Sequence, residues 1–483
     1  MLKSAGNGLR EVPFPVSDPE RIPVQRYFDQ EFYEAELEHL WPHVWQNACR
    51  LEQIPEVGDW IEYSNVGKSV IVVRTNDGIK AFHNACRHRG VPFAGGQSLD
   101  KDYSSAFGNC TKKGFVCPFH GWAWNMDGKN TRVYGKHLLS DRQLDPDDVN
   151  LVSCRVDTWG GCVWINLDDD APTIRETLGQ VTDDFDKHGV SDLRAEWHYG
   201  TVLPANWKIA MEAFMEGYHV MQTHPQLHEA SPSMYSSMYE DESVRGGMTG
   251  NVATERPRVA SEAIDIKKAI EAQVHSFQLL SDGMAGMIHQ KEVDILREVP
   301  TDNLPDDPGQ AIAMWFGMGM KAVTEHLRAR GEPCPDILEV SQSHPVSAVQ
   351  FFFPHYFLLP TFASMSAYRI RPLGPEKCFF EIWSLTTFAE EPDPVMEPTA
   401  LPYNSVEFPM IPRQDYSNIP IQQAGMHAQG FEFMRLSKDV EGMISNYQRI
   451  VDGYLKGLPV EKLNAAIHEL RLNFDGPIKD LDL

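Results

Sequence analysis

Two Cys–His pairs stand in the first quarter of the chain, in Cys86-Arg87-His88-Arg89-Gly90 and in Cys117-Pro118-Phe119-His120-Gly121-Trp122. With 28 residues between His88 and Cys117 they fall on two separate loops, and two facing hairpin tips could hold a metal centre. Thiolates suit iron–sulfur chemistry or zinc, and imidazole suits either, so ligand chemistry alone leaves both open. His83 and Cys110 lie nearby, and a structural zinc site that uses Cys110 is the alternative.

A second constellation runs from Asn206 to Pro225 and holds Glu212, Glu216, His219 and His224. The run reads as a helix over Asn206 to Gln222 that ends near its proline, with Glu212, Glu216 and His219 on one stripe. His219 and His224 are five residues apart, about 140° on an ideal helix, so both reach one metal only if regular helix stops between them. Two histidines and one carboxylate with open positions form the facial triad that binds non-haem Fe(II).

These loops need elements to aim them. Asp29 to Leu40 reads as an N-terminal helix, and short β-like runs follow, such as Ser69 to Arg74 and Cys162 to Leu167, separated by Gly and Asp turns. A helical connector over Ala171 to His188 leads to a mixed region whose middle, Ser231 to Pro335, carries little pattern. Ser366 to Arg371 and Cys378 to Thr387 flank the turn signal Gly374-Pro375-Glu376-Lys377, which predicts a hairpin. Val440, Met443, Ile444, Tyr447, Ile450, Val451, Tyr454 and Leu455 keep helical spacing behind Ser437, the expected N-cap.

The composition sets bounds. A chain of 483 residues with 42% hydrophobic and 23% charged residues is that of a folded protein of two or three domains. A net charge of −25 excludes a phosphate backbone as an expected partner. No stretch has the length or flanks of a membrane span or a signal peptide, so a cytoplasmic location is expected. Eight cysteines are too few for a disulfide scaffold, and those outside the two loops read as small apolar fillers.

Cys-x-His-Arg-Gly with Cys-Pro-Phe-His-Gly-Trp resembles the Rieske cluster motif, and Asn206-Trp207-Lys208 with Glu216-Gly217-Tyr218-His219 and His224-Pro225 resembles the mononuclear-iron motif of Rieske oxygenase α subunits. Both motifs occur in the family's order, and the resemblance covers about residues 40 to 457. It implies an α+β protein: an N-terminal helical segment (1–45), an all-β Rieske domain (46–168), and a helix-grip catalytic domain with an antiparallel sheet (169–483). It further implies that Cys86 and Cys117 hold one iron of a 2Fe-2S cluster and His88 and His120 the other, a ligand set that raises the reduction potential.

For the mononuclear Fe(II), the resemblance implies His219 and His224 with a carboxylate shortly before the last helix, here Asp415. Glu216, where many members have Asp, would bridge His219 to His120 of a neighbouring subunit in a ring-shaped homotrimer, with or without a β subunit. Electrons would come from NAD(P)H through a reductase or ferredoxin, and dioxygen would hydroxylate a hydrophobic, aromatic substrate, with monooxygenation or demethylation as the alternative. Phe214, Met215, Val220 and Met221 are the candidate pocket residues, and Arg87, Arg89, Lys112 and Lys113 could receive an acidic ferredoxin or form a solvated loop. The stretch between the two cluster pairs is longer than in the family, with the extra residues expected within Gln97 to Gly114. A non-catalytic Rieske carrier and a zinc-stapled binding protein are the readings of another class.

Overall fold

The computed structural model describes residues 8–94, 106–230, 265–284, 286–391 and 393–483. Of Gln97 to Gly114, residues 97–105 fall outside these, and of the unpatterned stretch from Ser231 to Pro335, residues 231–264 and 285 do. The helix expected near the N-terminus forms over Gln30–His39, capped by the Asp29 side chain, which accepts the Phe32 N–H at 2.9 Å.

The next part is all β. Seven strands form one sheet in the order Gln46–Arg50, Cys162–Asn166, Ser153–Trp159, Gly78–His83, Lys68–Thr75, Asp59–Asn65 and Phe107–Asn109. A small three-stranded sheet, Phe115–Val116, Ala123–Trp124 and Asn130–Arg132, sits beside it. The Cys86 loop follows the strand Gly78–His83, and the Cys117 loop joins Phe115–Val116 to Ala123–Trp124. Two β elements therefore each present one tip.

The connector forms two helices, Ile174–Leu178 and Gln180–Lys187, broken at Gly179. Gly179 takes φ +70°, and a Cβ there would meet the His468 ring at 2.6 Å, so glycine lets this bend pack closely. Beyond it a second sheet has the order Gln350–Phe352, Tyr356–Pro360, Ser364–Gly374, Lys377–Thr386, Arg194–Leu203 and Thr399–Ala400. All its pairings are antiparallel except the last, and the expected hairpin is its Ser364–Gly374 and Lys377–Thr386 pair. The α+β class and the domain order are as expected.

All six residues of the helix Trp207–Glu212 are buried, and Asn-Trp-Lys supplies the polar contacts that permit this. Asn206 caps the Lys208 N–H at 2.9 Å, its side-chain amide donates to the Pro375 carbonyl at 2.6 Å, and its backbone N–H donates to Oε1 of Gln423 at 2.8 Å. Trp207 Nε1 and Lys208 Nζ both reach the carboxylate of Glu36, at 3.1 and 2.6 Å. A buried ammonium is tolerated because its counter-charge is equally buried.

The last long helix begins at Gly442 rather than behind Ser437 and runs to Lys456. The Ser437 hydroxyl instead accepts the Asp439 N–H in a separate turn, so the expected N-cap is corrected. Tyr447 on this helix packs against Phe353, with centroids 5.0 Å apart, and on Trp207. The two sheets are joined through His355: its Nε2 accepts the Asn47 N–H at 3.0 Å and its Nδ1 lies 3.2 Å from the Ile370 carbonyl. Arg369 grips Glu381 in a two-pronged pair, at 2.8 and 2.7 Å, and donates to the Asn47 and Ala48 carbonyls.

Candidate metal centres

The two loop tips share one design. The Gly90 N–H returns to the Cys86 carbonyl at 2.8 Å, and the Gly121 N–H returns to the Cys117 carbonyl at 3.0 Å. Both glycines have positive φ, +77° and +69°, which closes each turn so that Cys and His project from one tip. The tips meet: the rings of His88 and His120 are 4.7 Å apart, and His88 stacks on Trp122 at 5.0 Å.

Burial pushes the Cys86 thiol up, and the Cys117 thiol beside it adds to the rise. Nδ1 of His88 is buried without a hydrogen-bond partner. A bound metal would answer both, by replacing the thiol protons and taking the orphaned nitrogen. A single zinc would draw its donors to within about 4 Å of one another, given Zn–S distances near 2.3 Å. Among the described residues, donor sets of three or more within 4.8 Å comprise only His219, His224 and Asp415. The wider Cys–His set fits a two-iron cluster better than one ion, and Cys110 is packed in the apolar core beneath it. None of the eight cysteines forms a disulfide.

The second constellation does not form one helix. Regular helix stops at Glu212, resumes over Val220–Thr223, and begins again at Pro225, which occupies the first position of Pro225–Ala230. The expected stripe of Glu212, Glu216 and His219 is therefore corrected. Glu212 points inward, accepting Tyr27 Oη at 3.0 and 2.9 Å and Gln448 at 2.5 Å, and burial lifts its carboxyl to about 7. Glu216 lies in the unwound turn, where its carboxylate accepts the His219 N–H and meets His219 Nδ1, each at 2.9 Å.

Unwinding is what brings the histidines together. Nε2 of His219 lies 3.7 Å and Nε2 of His224 3.1 Å from Oδ1 of Asp415. Asp415 stands inside the helix Met410–Gly425 and is 3% exposed. Each imidazole is held from behind at Nδ1, His219 by Glu216 and His224 by Oε1 of Gln414 at 2.9 Å. Such contacts fix the tautomer that turns Nε2 towards a metal. Burial opposes a charge on His219, but Glu216 and then Asp415 outweigh it and lift the imidazole to about 9, so this nest of carboxylates calls for a cation. The donor set therefore fits a two-histidine, one-carboxylate iron site.

A cavity of about 140 Å³ opens onto the triad. Phe214 and Val220 line it as expected, but Met215 and Met221 do not; Met215 is core, fully buried. Phe277, Met284, Tyr368 and Phe474 complete an apolar and aromatic wall. The roles of Gln414 behind His224 and of Phe474 and Asp475 at the wall were not legible in the sequence. A glutamine beside Asp415 was the only signal for the first, and nothing marked the others.

Residues 188–457 match the model of the ring hydroxylating alpha subunit catalytic domain, and residues 44–137 match that of the Rieske 2Fe-2S domain. Because the catalytic match alone takes in more than half of the chain, the protein belongs to the ring-hydroxylating α-subunit family. It is a Rieske non-haem iron oxygenase, with a Rieske cluster and a mononuclear iron as its cofactors. The carnitine monooxygenase oxygenase subunit of Escherichia coli strain K12 is 25% identical over 288 residues, 58% of this chain and 71% of that one. The large oxygenase component of the naphthalene 1,2-dioxygenase system of Pseudomonas aeruginosa is 31% identical over 217 residues, 44% of this chain and 46% of that one. A solved naphthalene 1,2-dioxygenase with indole in its active site superposes with a TM-score of 0.62 over 95% of this chain and 98% of that one, at 19% identity, a likeness of fold.

Proposed function

We propose that this chain is the oxygenase component of a system that dihydroxylates a hydrophobic aromatic ring, with monooxygenation as the second reading. What carries the proposal is the aromatic cavity opening directly onto His219, His224 and Asp415. The second reading draws on the carnitine and choline monooxygenases among the relatives. Ring dihydroxylation consumes one dioxygen, two electrons and two protons for each ring double bond, with a ferredoxin or reductase as the electron source.

When bound, the two centres supply one-electron transfer and dioxygen activation. Cys86 and Cys117 would hold one iron of the cluster and His88 and His120 the other, while His219, His224 and Asp415 would hold the mononuclear iron. Glu216 orients His219 through Nδ1 and keeps acceptor capacity for a second imidazole N–H. In a homotrimer that second donor would be the partner subunit's His120, which makes Glu216 the bridge between centres. Phe214, Tyr368 and Phe474 keep water from the ring and fix its face. The functional parts are residues 1–45, 46–168 and 169–483, and the location is cytoplasmic, which cysteines without disulfides fit.

The test is iron, sulfide and zinc per chain with the reduced-state EPR spectrum, then turnover on naphthalene, indole, carnitine and choline with a ferredoxin and reductase. Three irons, two sulfides and a cis-dihydrodiol from an aromatic ring are expected. Zinc without sulfide would discard the oxygenase chemistry, and turnover of carnitine or choline alone would discard the aromatic substrate.

A further inference from the structure

Residues 458–483 lie beyond the stretch that matches the catalytic-domain family, yet they supply Phe474 and Asp475 to the wall of the cavity. This segment is docked by a close backbone approach. The Gly442 N–H donates to the Gly476 carbonyl at 2.9 Å, and a Cβ on Gly442 would lie 1.9 Å from the Pro477 carbonyl carbon. The Ile478 N–H reaches the Lys438 carbonyl at 2.8 Å, and Asn446 accepts the Lys479 N–H at 3.0 Å.

Leu472 and Asp475 both take left-handed backbone, φ +55° and +49°, which only a surrounding structure that over-determines them maintains. This backbone brings Asp475 to the turn at the site. Oδ1 of Asp475, a residue 4% exposed, accepts the Gly217 N–H at 2.7 Å. Gly217 follows Glu216 at the point where regular helix has stopped: Met215 still bonds back to the Glu212 carbonyl at 3.0 Å, and His219 turns its N–H to Glu216. A glycine in an unwound turn has the widest conformational freedom of any residue, so a fixed acceptor on its amide restricts the whole peptide.

We propose that Asp475 is a positioning residue for the mononuclear site: through the Gly217 amide it holds the turn that sets Glu216 against His219. The iron part of this rests on the reading of His219 as a ligand. The C-terminal segment is thereby a working part of the catalytic centre, and a charge-assisted bond is the stronger form such a clamp can take.

Hydrogen exchange by mass spectrometry across residues 213–222, with iron affinity from competition against a chelator, tests it in D475A, D475N and F474A of the full chain. D475A is expected to lose exchange protection at Gly217 and to bind the mononuclear iron about 10- to 100-fold more weakly, with the cluster spectrum unchanged. D475N keeps an acceptor oxygen, so it should retain the protection and stay within about threefold of wild type in affinity. F474A removes a cavity residue of the same segment and should leave exchange at Gly217 alone. Should D475A not fold, D475S, too short to reach the amide, takes its place with the same losses expected. Unchanged exchange and affinity in D475A overturns the proposal, as does D475N failing like D475A or F474A losing the same protection. A wild type that binds no iron overturns the functional reading and the iron part together, while exchange at Gly217 still decides the clamp.

Discussion

Gln414 and His224 meet at 2.9 Å, Oε1 to Nδ1, and the residue that holds the ring is the chain neighbour of Asp415, which lies 3.1 Å from the other ring nitrogen. One helix therefore supplies both the carboxylate facing Nε2 and the acceptor that decides that Nε2 is free to face it. Gln414→Leu removes the acceptor and lets the tautomer equilibrate. Mononuclear iron should bind about 10- to 100-fold more weakly, measured by chelator competition, with the Rieske spectrum unchanged.

The cluster loops hang on β strands, whereas the mononuclear donors sit at helices and an unwound turn, so the two centres should fail separately. His219→Ala is expected to abolish mononuclear iron while leaving two irons and two sulfides per chain. Glu216→Gln should keep all three irons yet slow single-turnover reoxidation of the cluster by about 10-fold or more. Full activity in the Gln variant would sink the bridging role.

Lys208 and Glu36 are both fully buried and paired at 2.6 Å. Removing one partner strands the other charge, so Glu36→Ala should lower stability by about 3–5 kcal/mol in urea unfolding. Replacing both, as Glu36→Leu with Lys208→Met, is expected to recover most of that loss.

His355 serves the junction of the sheets as a neutral ring, because its Nε2 accepts the Asn47 N–H. Burial first, then Arg369 and Arg371, lower its imidazole to about 3. Its folded value lies below the unfolded one, so its contribution is present above pH 6.5 and is lost as pH falls towards 3, by about 1.4 kcal/mol per pH unit. Glu212, raised to about 7, acts oppositely, with stability lost as pH rises between 4.5 and 7. Unfolding free energies from pH 4 to 6.5 should therefore fall less steeply with acid in His355→Gln than in wild type.

Gly442→Ala adds a methyl where Pro477 already stands 1.9 Å away. The C-terminal segment should lift, with faster proteolytic clipping after Gly442 and weaker iron binding of the same kind as in D475A. A variant as resistant to protease as wild type would show that the approach relaxes without cost.

Residue type and spacing determined which atoms could bind metal here. Cys86, His88, Cys117 and His120 fall on loops because turn-forming glycines close both motifs, and His219 and His224 stand out by type and spacing, whereas Asp415 was named only through the family resemblance. The hairpin around Gly374 and the helix from Gln30 were equally legible, since turn chemistry and capping are local. What lay beyond local reading was decided by tertiary packing. The run from Asn206 has the composition of one helix, but burying Glu212 against Tyr27 and Gln448 while sending His219 and His224 to Asp415 requires it to unwind. Gln414 became legible only when its helix lay against His224, and Asp475 only when a segment more than 250 residues away returned to the Gly217 amide, 258 positions apart in the chain. Sequence periodicity reports the neighbours a residue has along its own element; the partners that orient a metal ligand come from other elements, and only the folded chain brings them within hydrogen-bonding distance.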